Sequence, residues 1–236
     1  MKLEGPFNQY LGRILAKAEN PDKVLEEQMQ ILKKRTTELN DVRQKMAEGY
    51  KQVLVALAQA FPEIDLNDPN LKDSHNRMAR ALIEVCSGLG SKDSDAINTT
   101  FPAEDYNEVI ILKNIDFTSL CSHHFFPFSG IAHIGYLPDT LNGGKVLGLS
   151  KLARILDIHA QRPQLQERLC QSIMEALKNE LKPAGVMVVI EAKHGCLNCR
   201  GARKRESSMI TSALDGKFQA DHKLRAEFLS LISLKN

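Results

Sequence analysis

Residues 109–136 read VIILKNIDFTSLCSHHFFPFSGIAHIGY, and in them the apolar period drops to two. Val109–Leu112, Phe117–Leu120 and Phe128–Tyr136 are rich in β-branched and aromatic residues, so two or three strands are expected. Pro138 and Asn142-Gly143-Gly144 close the stretch as a turn. Downstream, helices are expected over Ser150–His159 and Pro163–Leu181, the second opened by Pro163. Val186–Ile190 reads as a buried strand, Met209–Ser212 as another, and Asp221 as the cap of a last helix through Leu234. Upstream, Gly88–Asp105 is loop-like, and two helices are expected before it. Asn20-Pro21 is a start signal, and Phe61-Pro62 ends the run it begins. Leu25, Met29, Leu32, Leu39, Met46, Tyr50, Val53 and Leu57 form an a/d-like seam interrupted by Thr36 and Arg43. A further helix spans roughly Ser74 to Val85. The order defines an α+β domain over 91–236 behind a helical N-terminal arm over 1–90.

Composition narrows the classes. The chain has 236 residues, 43% apolar and 25% charged, which suits a globular protein with a real core. Lys and Arg total 31 against 29 Asp and Glu, a net charge of +2, so any anion must be gripped by a local cluster and not by bulk charge. No apolar run approaches the roughly 18 residues of a membrane helix. The first residues, MKLEGPFNQYLGRILAKAEN, contain no apolar signal core, so a cytoplasmic protein is expected. The cysteines number 5, an odd count that favours free or metal-bound thiols over a disulfide framework. Cys86 and Cys170 lie in apolar helical patterns and read as core filler.

The other three keep company with histidines. Cys121-Ser122-His123-His124 follows a strand end, and His194-Gly195-Cys196-Leu197-Asn198-Cys199 comes much later. Thiolate and imidazole are the ligands zinc prefers, and Cys121, His124 and Cys196 as ligands leave the fourth tetrahedral position for water. His123 and His194 then stand by as spare imidazoles, the side-chain type suited to acid–base work near neutral pH. The residues also allow a closed structural site with Cys199 as fourth ligand. With the basic run Arg200–Arg205, such a site would make an RNA-binding module, although aromatic interleaving is sparse there. Ser150, Lys151 and Arg154 form a separate anion-binding candidate at a helix start. It is not a Walker loop. Gln164-Leu165-Gln166-Glu167-Arg168 reads as a solvated first turn.

The segments CSHHFFPFSG, GLSKLARILDIHAQRPQLQERL and EAKHGCLNCRGARK, in this order and with ITSALDGKF and LRAEFLSLI after them, resemble GTP cyclohydrolase I from about Arg77 to Leu234. The resemblance implies a tunnelling fold: an antiparallel sheet with two helices on one face, built into a homodecamer with sites shared between subunits. It implies hydrolysis of GTP to 7,8-dihydroneopterin triphosphate and formate at Zn2+, the first step toward tetrahydrofolate and other pterins. It assigns Cys121, His124 and Cys196 to the metal and His123, His194 and Ser150 to catalysis. Ser150, Lys151, Arg154 and Arg200 match the triphosphate-binding positions, and Gln166 and Glu167 match those that read guanine. Arg77 and Arg80 fall where the family brings basic residues in from a neighbouring subunit. No nucleic-acid or membrane partner is implied. An enzyme of the same fold acting on another purine or pterin is the alternative.

Four departures from the family pattern stand out. Ser122 replaces a common Glu, the helix at Ser74 lacks a Thr-Pro start, Lys193 and Gly195 flank His194, and Cys199 is extra. None of them removes a ligand.

Overall fold

Asn20 begins the first helix as expected, its side chain accepting the Lys23 N–H at 3.1 Å, with Pro21 in the first turn. The helix, α1, runs over Pro21–Ala60 without a break at Gly49 and stops at Phe61, whose extended backbone precedes Pro62. α2 follows at Ser74–Val85. The structure is a computed structural model that describes residues 20–234. Residues 1–19, read above for a signal peptide, and the side chains of Leu32 and Thr36 in the seam lie outside the described residues. The described chain divides into two compact units, one ending at Ile83 and the other beginning at Glu84.

In the second unit the loop-like segment holds a short helix, α3 (Asp93–Ala96), and a strand, β1 (Thr100–Pro102). Two of the expected strands are one: β2 runs over Ile110–Cys121, and its register against the next strand shifts between Leu112 and Ile115. Asn114 takes a φ of 58° there. Asn tolerates that conformation better than most residues, so the alternation breaks at a bulge and the strand continues past it. The chain returns as β3 (Pro127–Leu137), then β4 (Lys145–Leu147), which pairs with β1 in a separate two-stranded sheet. Helix α4 (Leu149–Ala160) comes next. Pro163 does not open the second helix: with Gln164 it forms β5, parallel to the end of β2, and α5 spans Gln166–Leu181. Pairing to Leu120 and Cys121 holds these two residues extended. The rest is β6 (Gly185–His194), α6 (Gly195–Asn198), β7 (Met209–Gly216), α7 (Lys217–Ala220) and α8 (His222–Ser233). Asp221 caps α8 as expected, accepting from the N–H groups of Lys223 and Leu224.

The main sheet has the order β5-β2-β3-β6-β7, antiparallel apart from the β5 edge. On α5, Leu169, Ile173, Leu177 and Leu181 recur every fourth residue and are all buried, with Cys170 and Met174 beside them. Burying each such aliphatic side chain stabilises the fold by roughly 1.5–3 kcal/mol. They pack with Leu152, Ile155 and Leu156 of α4 against Val186, Val188, Ile190 and Ala192 of β6. The alternate β6 residues Met187 and Val189 join Leu137, Phe218 and Phe228 in a second cluster. β6 is thus buried on both faces, which is why it reads as a continuous apolar run. Gly130 on β3 lets β6 come close, since a Cβ there would lie 1.9 Å from Glu191 O. Among the described residues no helix is long and apolar enough to cross a membrane.

Candidate active site

Strand register brings the chemistry together. Leu120 on β2 pairs with Pro127 on β3, and Phe128 on β3 pairs with His194 on β6, so Cys121, the His123-His124 turn and His194 meet at one end of the sheet. Cys121 N–H donates to Phe126 O and Phe125 N–H to Cys121 O, closing the turn that carries both histidines. Ser122 N–H donates to Gln164 O at 2.9 Å, tying the turn to β5. Gly195 then starts α6, where a Cβ would stand 2.8 Å from Pro127 O, so its missing side chain lets α6 approach the turn.

The ligand atoms of Cys121, His124 and Cys196 all lie within 4.8 Å of one another. The two sulfurs are 3.9 Å apart. Zinc–sulfur bonds of about 2.3 Å at a tetrahedral angle give a sulfur–sulfur edge of about 3.8 Å, so the donor set fits such an ion. Burial pushes the Cys196 thiol up, the adjacent Cys121 sulfur adds to this, and Arg200 partly offsets it. Two thiols held at that distance are suited to a cation that lets both ionise. Cys199 is outside the group: it is exposed, and its thiol donates to Gly195 O at 2.8 Å, so the closed four-ligand arrangement is not formed.

His123 stands beside the ligands, its Nδ1 3.8 Å from Cys121 Sγ. The His194 ring stacks on Phe128 with centroids 4.6 Å apart and planes 2° from parallel. Burial lowers the pKa of His194, and the Glu167 carboxylate partly offsets the shift. Gln166 departs from the solvated-turn reading, since it is 1% exposed and its side chain reaches His194. Glu167 next to it is exposed.

The anion-binding candidates are less constrained. Ser150 and Arg154 are exposed on the first turns of α4, and Lys151 Nζ donates to Asn98 Oδ1. The α4 start is itself fixed, because the fully buried Tyr136 hydroxyl accepts the Leu147 N–H at 2.8 Å. Arg200 is exposed just after α6. Arg77 and Arg80 lie on α2: Arg77 donates to Ser74 Oγ at 2.8 Å, and Arg80 is 4.0 Å from Asp73. Sequence reasoning missed Phe128, Tyr136 and Asn98. For Phe128 a signal existed, because strand pairing of β3 with the His194 strand puts it opposite that ring.

The sheet end thus carries a candidate metal site of Cys121, His124 and Cys196, with His123 beside it and His194 on the adjoining strand. The family description GTP cyclohydrolase I matches residues 46–233. The chain is 45% identical to GTP cyclohydrolase 1 of Listeria welshimeri over 190 residues, 80% of this chain and 96% of that protein. It is 41% identical to GTP cyclohydrolase 1 of Clostridioides difficile over 193 residues (82% and 97%). To that of Thermobifida fusca it is 40% identical over 188 residues (80% and 87%). Among solved structures, an archaeosine synthase QueF-Like in the apo form aligns with a TM-score of 0.39 and 20% identity, covering 48% of this chain and 97% of that one. The chain belongs to the GTP cyclohydrolase I family, and its activity is that of the family, the hydrolytic conversion of GTP.

Proposed function

We propose that GTP and water are converted to 7,8-dihydroneopterin triphosphate and formate at a zinc ion held by Cys121, His124 and Cys196. The observation carrying this reading is the convergence of those three ligand atoms within 4.8 Å. A zinc ion held by these three residues would lower the pKa of a bound water toward about 7 and so supply a nucleophile for C8 of the base. His123, beside Cys121, takes up the proton of the attacking water. His194 donates to N7 of guanine, which drains electron density from C8 and makes it electrophilic. Glu167 accepts from the guanine donors at N1 and N2 as a bidentate carboxylate. Gln166 has its side-chain amide committed inside the protein, so what it offers the base is its backbone N–H at the start of α5.

Ser150, Lys151, Arg154 and Arg200 match the charge of the triphosphate, with the N-terminus of α4 adding N–H groups. Ser150 then serves as a proton shuttle while the ribose opens and the dihydropterin ring closes. Arg77 and Arg80 reach the site of a neighbouring subunit in a homodecamer, with 91–236 as the catalytic domain and 1–90 as the arm. The protein acts in the cytoplasm, and its product feeds tetrahydrofolate synthesis. The test is formate release from GTP by the zinc-loaded protein, with pterin fluorescence read after oxidation of the same sample. Equal amounts of both are expected. Zinc-loaded protein that releases neither overturns the reading, and formate without pterin overturns its later steps.

A further inference from the structure

The two nitrogens of His194 are distinguished by Gln166. His194 Nε2 lies 2.8 Å from Gln166 Oε1. Which of the two atoms supplies the hydrogen follows from the other end of the amide. Gln166 Nε2 is 2.9 Å from Met209 O, 3.1 Å from Ile190 O and 3.1 Å from Thr211 Oγ1. Backbone carbonyls only accept, so the amide end facing them is the NH2 group. Rotating the amide by half a turn would set its oxygen against two carbonyl oxygens in a site where Gln166 is 1% exposed. The oxygen therefore faces His194, and an amide oxygen only accepts. His194 Nε2 carries a hydrogen in every protonation state, and the lone pair of the neutral ring sits on Nδ1.

We infer that Gln166 is a positioning residue, which fixes the neutral His194 ring in the Nε2–H tautomer and leaves Nδ1 as its acceptor atom. The ring has little freedom to do otherwise. Its face is stacked on Phe128, which sits opposite it in the β3–β6 ladder, and its edge is tied to an amide anchored on β6 and β7. The anchor is made of strand backbone, so the orientation does not wait for substrate. This role differs from the reading of guanine expected of Gln166, and it rests on His194 being a proton donor of the site.

The test uses the full-length, zinc-loaded protein labelled with 15N in its histidine rings. Two-bond 1H–15N correlation spectra identify the protonated nitrogen of each neutral ring, and a His194→Asn sample identifies the His194 signals. The expected result is a neutral His194 with hydrogen on Nε2, its exchange with water slowed by the buried bond to Gln166. Hydrogen on Nδ1 in the wild-type protein overturns the inference, whether or not any variant folds. In Gln166→Leu, kcat should fall tenfold or more with KM for GTP within threefold, and the Nε2–H signal should exchange rapidly. A raised KM with unchanged kcat overturns it in favour of base reading. A His194→Asn protein that still releases formate at the wild-type rate overturns the parent reading of His194, while the spectrum reports the tautomer independently.

Discussion

Cys121 and His194 sit at strand ends whose register is set by long antiparallel ladders, with Cys196 on α6 directly after the second, whereas Ser150, Arg154, Glu167 and Arg200 stand exposed at helix ends. The physical demands differ in the same way. A metal needs its donors placed to a few tenths of an ångström, which only a pinned backbone gives. A triphosphate is attracted over several ångströms, and long flexible cations can adjust to it. On the proposed reading, one half of the site is built in advance and the other would be gathered by the triphosphate.

Mutations should separate the two halves by the shape of their response. The largest effect belongs to the ligands: Cys121→Ala or Cys196→Ala should lose the metal and formate release together, read by elemental analysis and assay of the same sample. Cys199→Ala should keep both, because its thiol points to Gly195 O. Next comes the scaffold that sets the ligands. Gly130→Ala places a Cβ 1.9 Å from Glu191 O, and separating β3 from β6 should cost about 3 kcal/mol in urea unfolding, with metal affinity falling alongside. The cations should respond by degrees. Arg154→Ala should raise KM for GTP about tenfold or more, the loss of a charge-assisted bond of about 1.5–3 kcal/mol, with bound metal unchanged. A response of Arg154→Ala as absolute as that of Cys196→Ala would erase the distinction drawn here.

The smallest effect is a pH dependence of stability. Burial lowers the pKa of His133 below 6.5, helped by Lys113 and opposed by Glu191. Burial likewise lowers that of His159, whose Nε2 is 2.9 Å from Asp93 without hydrogen-bond alignment. Asp93 opposes the shift, and Arg162 adds to it. Below pH 6.5 the unfolded chain binds protons that these native imidazoles refuse, so their contribution is full above 6.5 and lost as pH falls toward the lower folded values. Asp157, raised from 3.8 by burial and by Asp116, acts in the opposite sense: its contribution is full below 3.8 and lost as pH rises through the folded value. Urea midpoints should therefore fall between pH 7.5 and 5.5, and His133→Gln should flatten that slope. A midpoint that rises over this interval would contradict it.

Much of the main sheet was legible because burial on one or both faces writes itself into the sequence as alternation or as an apolar run. The break at Lys113-Asn114 was read as a gap between strands, since a bulge is visible only when the ladder is seen to resume at Ile115. Pro163 is a good helix opener by itself, and pairing with β2 overrode that preference. The seam on α1 shows the same limit from another side. Met29, Leu39, Val53 and Leu57 are periodic yet exposed, whereas the stripe on α5 is buried. Periodicity states that a face is apolar and leaves its partner unnamed.

The candidate metal donors and histidines were legible in the sequence as a group, because few side chains can ligate or shuttle protons and here they cluster along the chain. That Cys199 turns away from the Cys121, His124 and Cys196 group, and that the Gln166 amide faces His194 Nε2, were decided only in three dimensions. Those outcomes depend on where Gly195 O, Met209 O and Ile190 O fall. Backbone carbonyls are present at every position of any sequence, and only the fold decides which side chain they face.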